Sequence, residues 1–254
     1  MGLIDDDEGV CHNSNESTLP GVKGKKERTM DNKAAFRKTI RALGGLLAVV
    51  SFAALSFGIG RQEEEIKLPE NPFERGKVLY ELKRYDEAKQ CFDLVLEKCP
   101  TDSQARFYRG KTDFARGNLD AAWTDFDQLV QIAPESHLGY LGRVEVLIKR
   151  EQYDEALAEI ILVQERQPEN AESFYFKGVI YGYKKSVPDA VASLKRCLEI
   201  QPNHAYAHYQ LGLAYYQMKR IDLTIVHFTR FLTLAPEAPE AEQVRSLLEF
   251  IRKR

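Results

Sequence analysis

An all-α stack of helical hairpins, preceded by a single transmembrane helix, is the fold class this 254-residue sequence predicts, and three observations point to it. Proline returns at Pro100, Pro134, Pro168, Pro202 and Pro236, each 34 residues after the last. Ala88, Ala122, Ala156 and Ala190 keep that interval, with Thr224 in the fifth place. A large apolar residue stands four positions after each, at Phe92, Phe126, Ile160, Leu194 and Phe228. Ahead of these registers, Ala42 to Gly60 runs nineteen residues without a charge between Arg41 and Arg61. A constant interval of this length marks a solenoid, whose units bury their apolar faces only against one another.

Composition removes several function classes. With 44% hydrophobic residues the chain can build a substantial core. Its 36 Lys and Arg against 38 Asp and Glu, a net charge of −2, leave no positive field to hold a nucleic-acid backbone, so no nucleic-acid partner is expected. Four cysteines, at 11, 91, 99 and 197, are too scattered for a disulfide framework or a paired-thiolate metal site. Cys91 and Cys99 share one helix eight residues apart, about 12 Å, and cannot bridge to each other.

The elements follow in chain order. Residues 1–22 carry Asp5, Asp6, Asp7, Glu8 and Glu16 with no Lys or Arg. Residues 23–41 reverse the sign with Lys23, Lys25, Lys26, Arg28, Lys33, Arg37, Lys38 and Arg41; together, 1–41 reads as a disordered arm, acidic and then basic. As a helix, residues 42–60 would cover about 28 Å, the thickness of a bilayer's hydrocarbon, with apolar residues on every side. A basic flank before this signal anchor and Glu63, Glu64 and Glu65 after it keep the N-terminus cytoplasmic. Everything beyond residue 60 then lies on the far side, as in a bacterial periplasm. The competing reading is a cleaved signal peptide, favoured by Gly58 and Gly60 and by Met30 as an alternative start, and opposed by the length of the apolar run. Residues 61–68 form a short charged spacer to the first unit.

Gly76, Gly110, Gly178 and Gly212 also keep the 34-residue interval, with Val144 replacing glycine in the third unit. These marks resemble the tetratricopeptide repeat, a helix-turn-helix unit with LGxxY, AxxxF and a terminal proline. The stretch YQLGLAYYQMKRIDLTIVHFTRFLTLAP, residues 209–236, carries it most fully. Small residues let the two helices of a unit cross closely, and the proline ends the second helix. The resemblance implies a right-handed superhelix of five units, 69–102, 103–136, 137–170, 171–204 and 205–238. Residues 239–254 then form a capping helix, with Val244, Leu247, Leu248 and Ile251 on one face.

Within each unit, Asp86, Asp120, Asp154 and Asp222 are expected to cap the second helix. Arg75, Arg109, Arg143 and Lys177 depart from the family's usual Leu. They are expected to pack an aliphatic stem and send the charge to water.

No nucleophile with its base, no HExxH and no phosphate loop appears, so neither catalytic, cofactor nor metal residues are assigned and the chain is read as a non-enzyme. His204 and His208 could share a helix face but lack a third ligand. The resemblance instead implies a concave groove, lined by the first helix of every unit, that receives a partner protein or peptide. Its first row would be Phe73, Phe107, Leu141, Tyr175 and Tyr209; its second Lys77, Lys111, Glu145, Val179 and Leu213; its third Tyr80, Phe114, Ile148, Gly182 and Tyr216.

Lysines among aromatics at one end, and Tyr175, Tyr183, Tyr206, Tyr209 and Tyr216 at the other, suit a ligand with an acidic and an apolar end. The family's carboxylate clamp for heat-shock tails is absent, since its positions hold Phe73, Lys77, Tyr108, Leu138 and Gly142. The expected function is a membrane-anchored scaffold serving assembly or maintenance of a membrane or envelope complex. The alternative is a secreted or soluble repeat protein acting as a chaperone-like or regulatory adaptor.

Overall fold

The computed structural model of the chain describes residues 67–253. The arm 1–41, the spanning helix expected over 42–60 and nearly all of the spacer lie outside the described residues. Among the described residues, no helix is long and apolar enough to cross a membrane.

Among the described residues eleven helices follow one another: α1 (Pro72–Glu81), α2 (Tyr85–Lys98), α3 (Ser103–Ala115), α4 (Leu119–Ile132), α5 (His137–Lys149), α6 (Tyr153–Arg166), α7 (Ala171–Tyr183), α8 (Val187–Ile200), α9 (Ala205–Gln217), α10 (Ile221–Leu234) and α11 (Ala241–Arg252). Among the described residues there is no strand. Consecutive helices pair into five hairpins, each hairpin packs on the next, and α11 packs on α10. First helices of neighbouring hairpins also touch, α1 with α3, α3 with α5, α5 with α7 and α7 with α9, whereas among the described residues no second helices of neighbouring hairpins do. The stack is therefore tighter along its first helices, which form its inner, concave side.

The repeat marks act as packing partners. Phe92, Phe126 and Phe228 are fully buried, and a Cβ on Gly76 would come within 2.6 Å of the Phe92 ring. Where the third unit carries Val144, the facing residue is Ile160 rather than Phe, and both are fully buried. Phe126 also meets Gly142 of the next unit, so one ring is held between two glycine-bearing helices. At the end of the stack, α11 lays Val244 and Leu248 on Phe228 and Phe231.

Local rules explain the helix ends and correct one expectation. Helix α1 starts at Pro72, three residues late on the 34-residue interval, because Asn71 accepts from the N–H groups of Phe73 and Glu74 at 2.9 and 3.2 Å and Pro72 suits a first helical turn. The turn inside each hairpin needs one left-handed residue, supplied by Lys83, Gly117, Glu151, Lys185 and Lys219; only the second unit uses glycine.

Asp86, Asp120, Asp154 and Asp222 are not caps. Each second helix begins one residue earlier, at Tyr85, Leu119, Tyr153 or Ile221, and its N-cap makes no side-chain bond. These carboxylates sit in the first turn, where the helix dipole favours them. Three of them also reach the following hairpin, through Asp86 to Arg116 at 2.7 Å, Asp120 to Arg150 and Asp154 to Lys184.

A second correction concerns the Arg/Lys column. Arg109 on α3 does not send its charge to water. Its guanidinium donates to Asp93 on α2 at 2.8 Å and, through two nitrogens, to Asp125 on α4 at 2.6 and 2.9 Å. Arg143 on α5 likewise joins Asp127 on α4 at 3.4 Å and Glu159 on α6. Arg109 and Arg143 thus clamp successive second helices, and the buried carboxylates at Asp125 and Glu159 are what draw their charge inward.

Candidate functional site: the concave face

Because a helix turns every 3.6 residues, positions three and four apart on each first helix stand on one face, and stacking repeats that face along the groove. Its first row is mostly wall. Phe73 packs edge-on against Phe92 and Tyr108, and Phe107 packs edge-on against Tyr108 and tilted against Phe126. Leu141 is buried. Tyr175 lies 4.6 Å from the His204 ring, centroid to centroid, and Tyr209 lies 5.1 Å from Phe231. Burial, and then Glu172 beside it, raises the Tyr175 hydroxyl well above its ordinary range, so it remains a neutral donor.

The second row does not present free cations. Lys77 pairs with Glu74 at 3.1 Å and lies over the Phe73 ring. Lys111 pairs with Glu145, its counterpart in the next unit, at 2.8 Å. Burial alone would lower the Lys111 ammonium, but Glu145 outweighs it and holds the group above its usual value. The acidic-ended ligand suggested by two lysines therefore meets a lysine already closed across a unit boundary.

Exposure is concentrated at the far end. Tyr183 is 58% exposed and stacks on Tyr153 at 5.5 Å; Tyr216 is 41% exposed. Tyr206 donates its hydroxyl to Glu240 at 3.3 Å and leaves part of its ring open. Between α7, α8 and α9 lies a cavity of about 390 Å³, lined mainly by Gly178, Val179, Gly182, Tyr183, Val187 and Leu213, with Gln210 and Gln217 also on its wall. The structure thus brings Tyr183 and Tyr209 to one cavity and leaves Phe73, Lys77, Phe107 and Lys111 apart from it. The glutamines and Val187 were not expected; the signal for the cavity was Gly182, the one small residue in the third row.

The histidines do not converge. His204 accepts from the Ala207 N–H through Nδ1 at 3.0 Å, capping α9, and turns Nε2 to Glu172 at 3.2 Å. His208 faces the Pro202 carbonyl and His227. Among the described residues, no group of three or more His, Cys, Asp or Glu stands close enough to hold a metal ion. Cys91 and Cys197 are free and buried; burial raises both thiols, Cys197 to about 12, so neither is a thiolate at neutral pH. The geometry suits gripping a chain by shape and aromatic contact.

Sequence profiles of the tetratricopeptide repeat match residues 73–102 and 206–238, and a TPR repeat profile matches residues 178–219. Among solved structures, a thermophilic TPR protein of Thermus thermophilus, TTC0263, superposes with a TM-score of 0.63 at 24% identity, over 72% of this chain and 98% of that one. Yeast Tom70 superposes with a TM-score of 0.59 at 20% identity, over 71% of this chain and 39% of that one. At these identities the likeness is one of fold. No curated protein matches the sequence.

Proposed function

We propose that the chain, whose residues 73–102 and 178–238 match tetratricopeptide-repeat profiles, is a non-enzymatic scaffold that holds a segment of a partner protein in its concave face. The observation that carries this reading is Tyr183, 58% exposed on the wall of the cavity between α7 and α9, with Tyr206 and Tyr216 also exposed on α9. Aromatic rings with a polar tip give large contact area at low entropic cost, the usual basis of a binding hot spot. The neutral thiols and the paired Lys111 support binding over catalysis.

The scaffold is displayed at a membrane by residues 42–60, with the arm in the cytoplasm and the repeats on the far side, where it serves assembly or maintenance of a membrane or envelope complex. The uncharged run and the basic flank before it support this placement. Tethering raises the local concentration of partners in the membrane plane, so weak individual contacts suffice.

Tyr183→Ala with Tyr216→Ala, made in the full chain, tests the face. Partner capture is lost while helical circular dichroism is kept; undiminished capture refutes the reading. These two are chosen over Tyr209, which packs on Phe228 and Phe231 and would weaken the core. Carbonate-resistant pelleting at full mass supports the anchor, and a mass smaller by residues 1–60 supports the cleaved alternative.

A further inference from the structure

Four units place a bulky side chain at the third register of their first helix, Tyr80, Phe114, Ile148 and Tyr216, and the fourth unit places Gly182 there. Glycine in a helix costs up to about 1 kcal/mol relative to alanine. Elsewhere in this fold a neighbour demands it: a Cβ on Gly178 would stand 2.5 Å from Leu194 Cγ. Gly182 has no such neighbour. Its φ is not left-handed, and a Cβ there would meet nothing within 4 Å. Neither backbone geometry nor packing requires glycine at this position, so what the missing side chain provides is space.

That space is the floor of the cavity of about 390 Å³, with Val179, Val187 and Leu213 as apolar walls and Tyr183 at its rim. A cavity of about 150 Å³ already accommodates benzene. We infer that this cavity is a socket for one large apolar side chain of the bound segment, and that the segment carries a basic residue close to that anchor; the inference rests on the concave face being the binding surface.

The basic residue follows from the charge left over. Glu172 has His204 as its partner, and because His204 Nδ1 accepts the Ala207 N–H, a neutral ring suffices for the bond from Nε2. Glu240 receives the Tyr206 hydroxyl. Among the described residues no Lys or Arg lies within 4.0 Å of either carboxylate, so neither is paired with a Lys or Arg, and both stand beside tyrosines, Tyr175 for Glu172 and Tyr206 and Tyr209 for Glu240. Carboxylates among aromatic faces favour a cation. Glu172 stands ten residues before Gly182 on α7, about 15 Å along the helix, a span that four or five residues of extended ligand cover.

The experiment selects a random dodecapeptide phage library on the purified full chain in detergent. Recovered peptides are expected to pair Leu, Ile, Met or Phe with Lys or Arg within five positions. A fluorescent synthetic copy is expected to bind Gly182→Leu at least tenfold more weakly and the Glu172→Gln/Glu240→Gln variant several-fold more weakly by anisotropy. Gly182→Leu melts no lower than the parent, which separates a filled socket from a damaged fold. Undiminished affinity for Gly182→Leu, or recovery of acidic peptides, overturns the inference. Recovery of no peptide, or affinity that also survives Tyr183→Ala/Tyr216→Ala, refutes the concave-face reading itself. Affinity that needs those tyrosines but tolerates Gly182→Leu leaves that reading standing and removes the socket.

Discussion

Replacing Arg109 by Leu, the residue the repeat usually carries there, is expected to destabilise this protein although it restores the family pattern. The guanidinium spans two second helices, holding Asp93 at 2.8 Å and Asp125 at 2.6 and 2.9 Å, and Asp125 is only 3% exposed. Removing one partner of a buried pair costs about 3–5 kcal/mol, because the remaining charge is stranded. Arg106 stays 3.5 Å from Asp125, which puts the cost at the lower end, about 3 kcal/mol. The bond to Asp93, whose side chain is 45% exposed, adds at most about 1 kcal/mol. At two to four degrees per kcal/mol for a domain of this size, a loss of about 3–4 kcal/mol lowers the melting temperature by roughly 6–16 °C.

The assay is urea denaturation followed by circular dichroism, with Asp125→Leu and the double variant completing a cycle. Well-packed apolar residues in place of a buried pair are close to neutral, so the double variant should be clearly less damaged than the sum of its singles, the remaining loss reflecting Arg106 without its carboxylate. A loss below about 1 kcal/mol for Arg109→Leu, or a double variant as damaged as the sum of its singles, would refute the clamp.

Three further outcomes are expected. Gly142→Ala brings a Cβ within 2.6 Å of Phe126 Cε1 and closer to the same ring's Cγ and Cδ1. Phe126 is fully buried, so the variant should lose about 1–3 kcal/mol in the same urea assay; an unchanged midpoint would show that the ring moves freely. Lys111→Met strands Glu145 in a half-buried site and should lower stability by about 1 kcal/mol without weakening an acidic peptide's binding; loss of such binding at unchanged stability would restore Lys111 as a ligand contact. Burial, with the His208 ring beside it, lowers the His227 imidazole from 6.5 to about 4. The unfolded chain therefore takes up that proton first as pH falls, and stability is full above about pH 6.5 and declines toward pH 4. Discounted for the ring's partial exposure, the loss is about 1–2 kcal/mol. His227→Phe should lose less on going from pH 7.5 to 5 than the parent, and equal losses would show that this histidine is not the titrating group.

What was legible in the sequence divides by whether one column or a pair of columns carries it. The glycine and phenylalanine columns act within one hairpin, at Gly76 on Phe92 or Gly212 on Phe228, so a single register locates the helices and their crossing. The clamps depend on residues sixteen positions to either side of the Arg/Lys column, a relation that a 34-residue register does not display. Arg109 has Asp93 and Asp125 at those offsets and Arg143 has Asp127 and Glu159, while Lys177 has Ile161 and Ser193. The pattern of acids was present and separates the two clamped units from the first, where Ile59 and Cys91 stand at the offsets of Arg75, and from the fourth. The Asp column was misread for a simpler reason, since a helix that begins one residue earlier turns a cap into a first-turn carboxylate.

Gly182 is the converse case. As a letter it is only a gap in the third row, and such a gap reads equally as a weakened helix or a close approach of two backbones. Three dimensions decide between these readings, because nothing stands within 4 Å of the missing Cβ and a cavity opens beneath it. A glycine whose replacement is predicted to strengthen the helix and weaken binding is not explained by folding. The missing side chain in the fourth unit therefore shapes the inner face at the expense of the helix, which is where a binding determinant, rather than a structural one, would leave its mark.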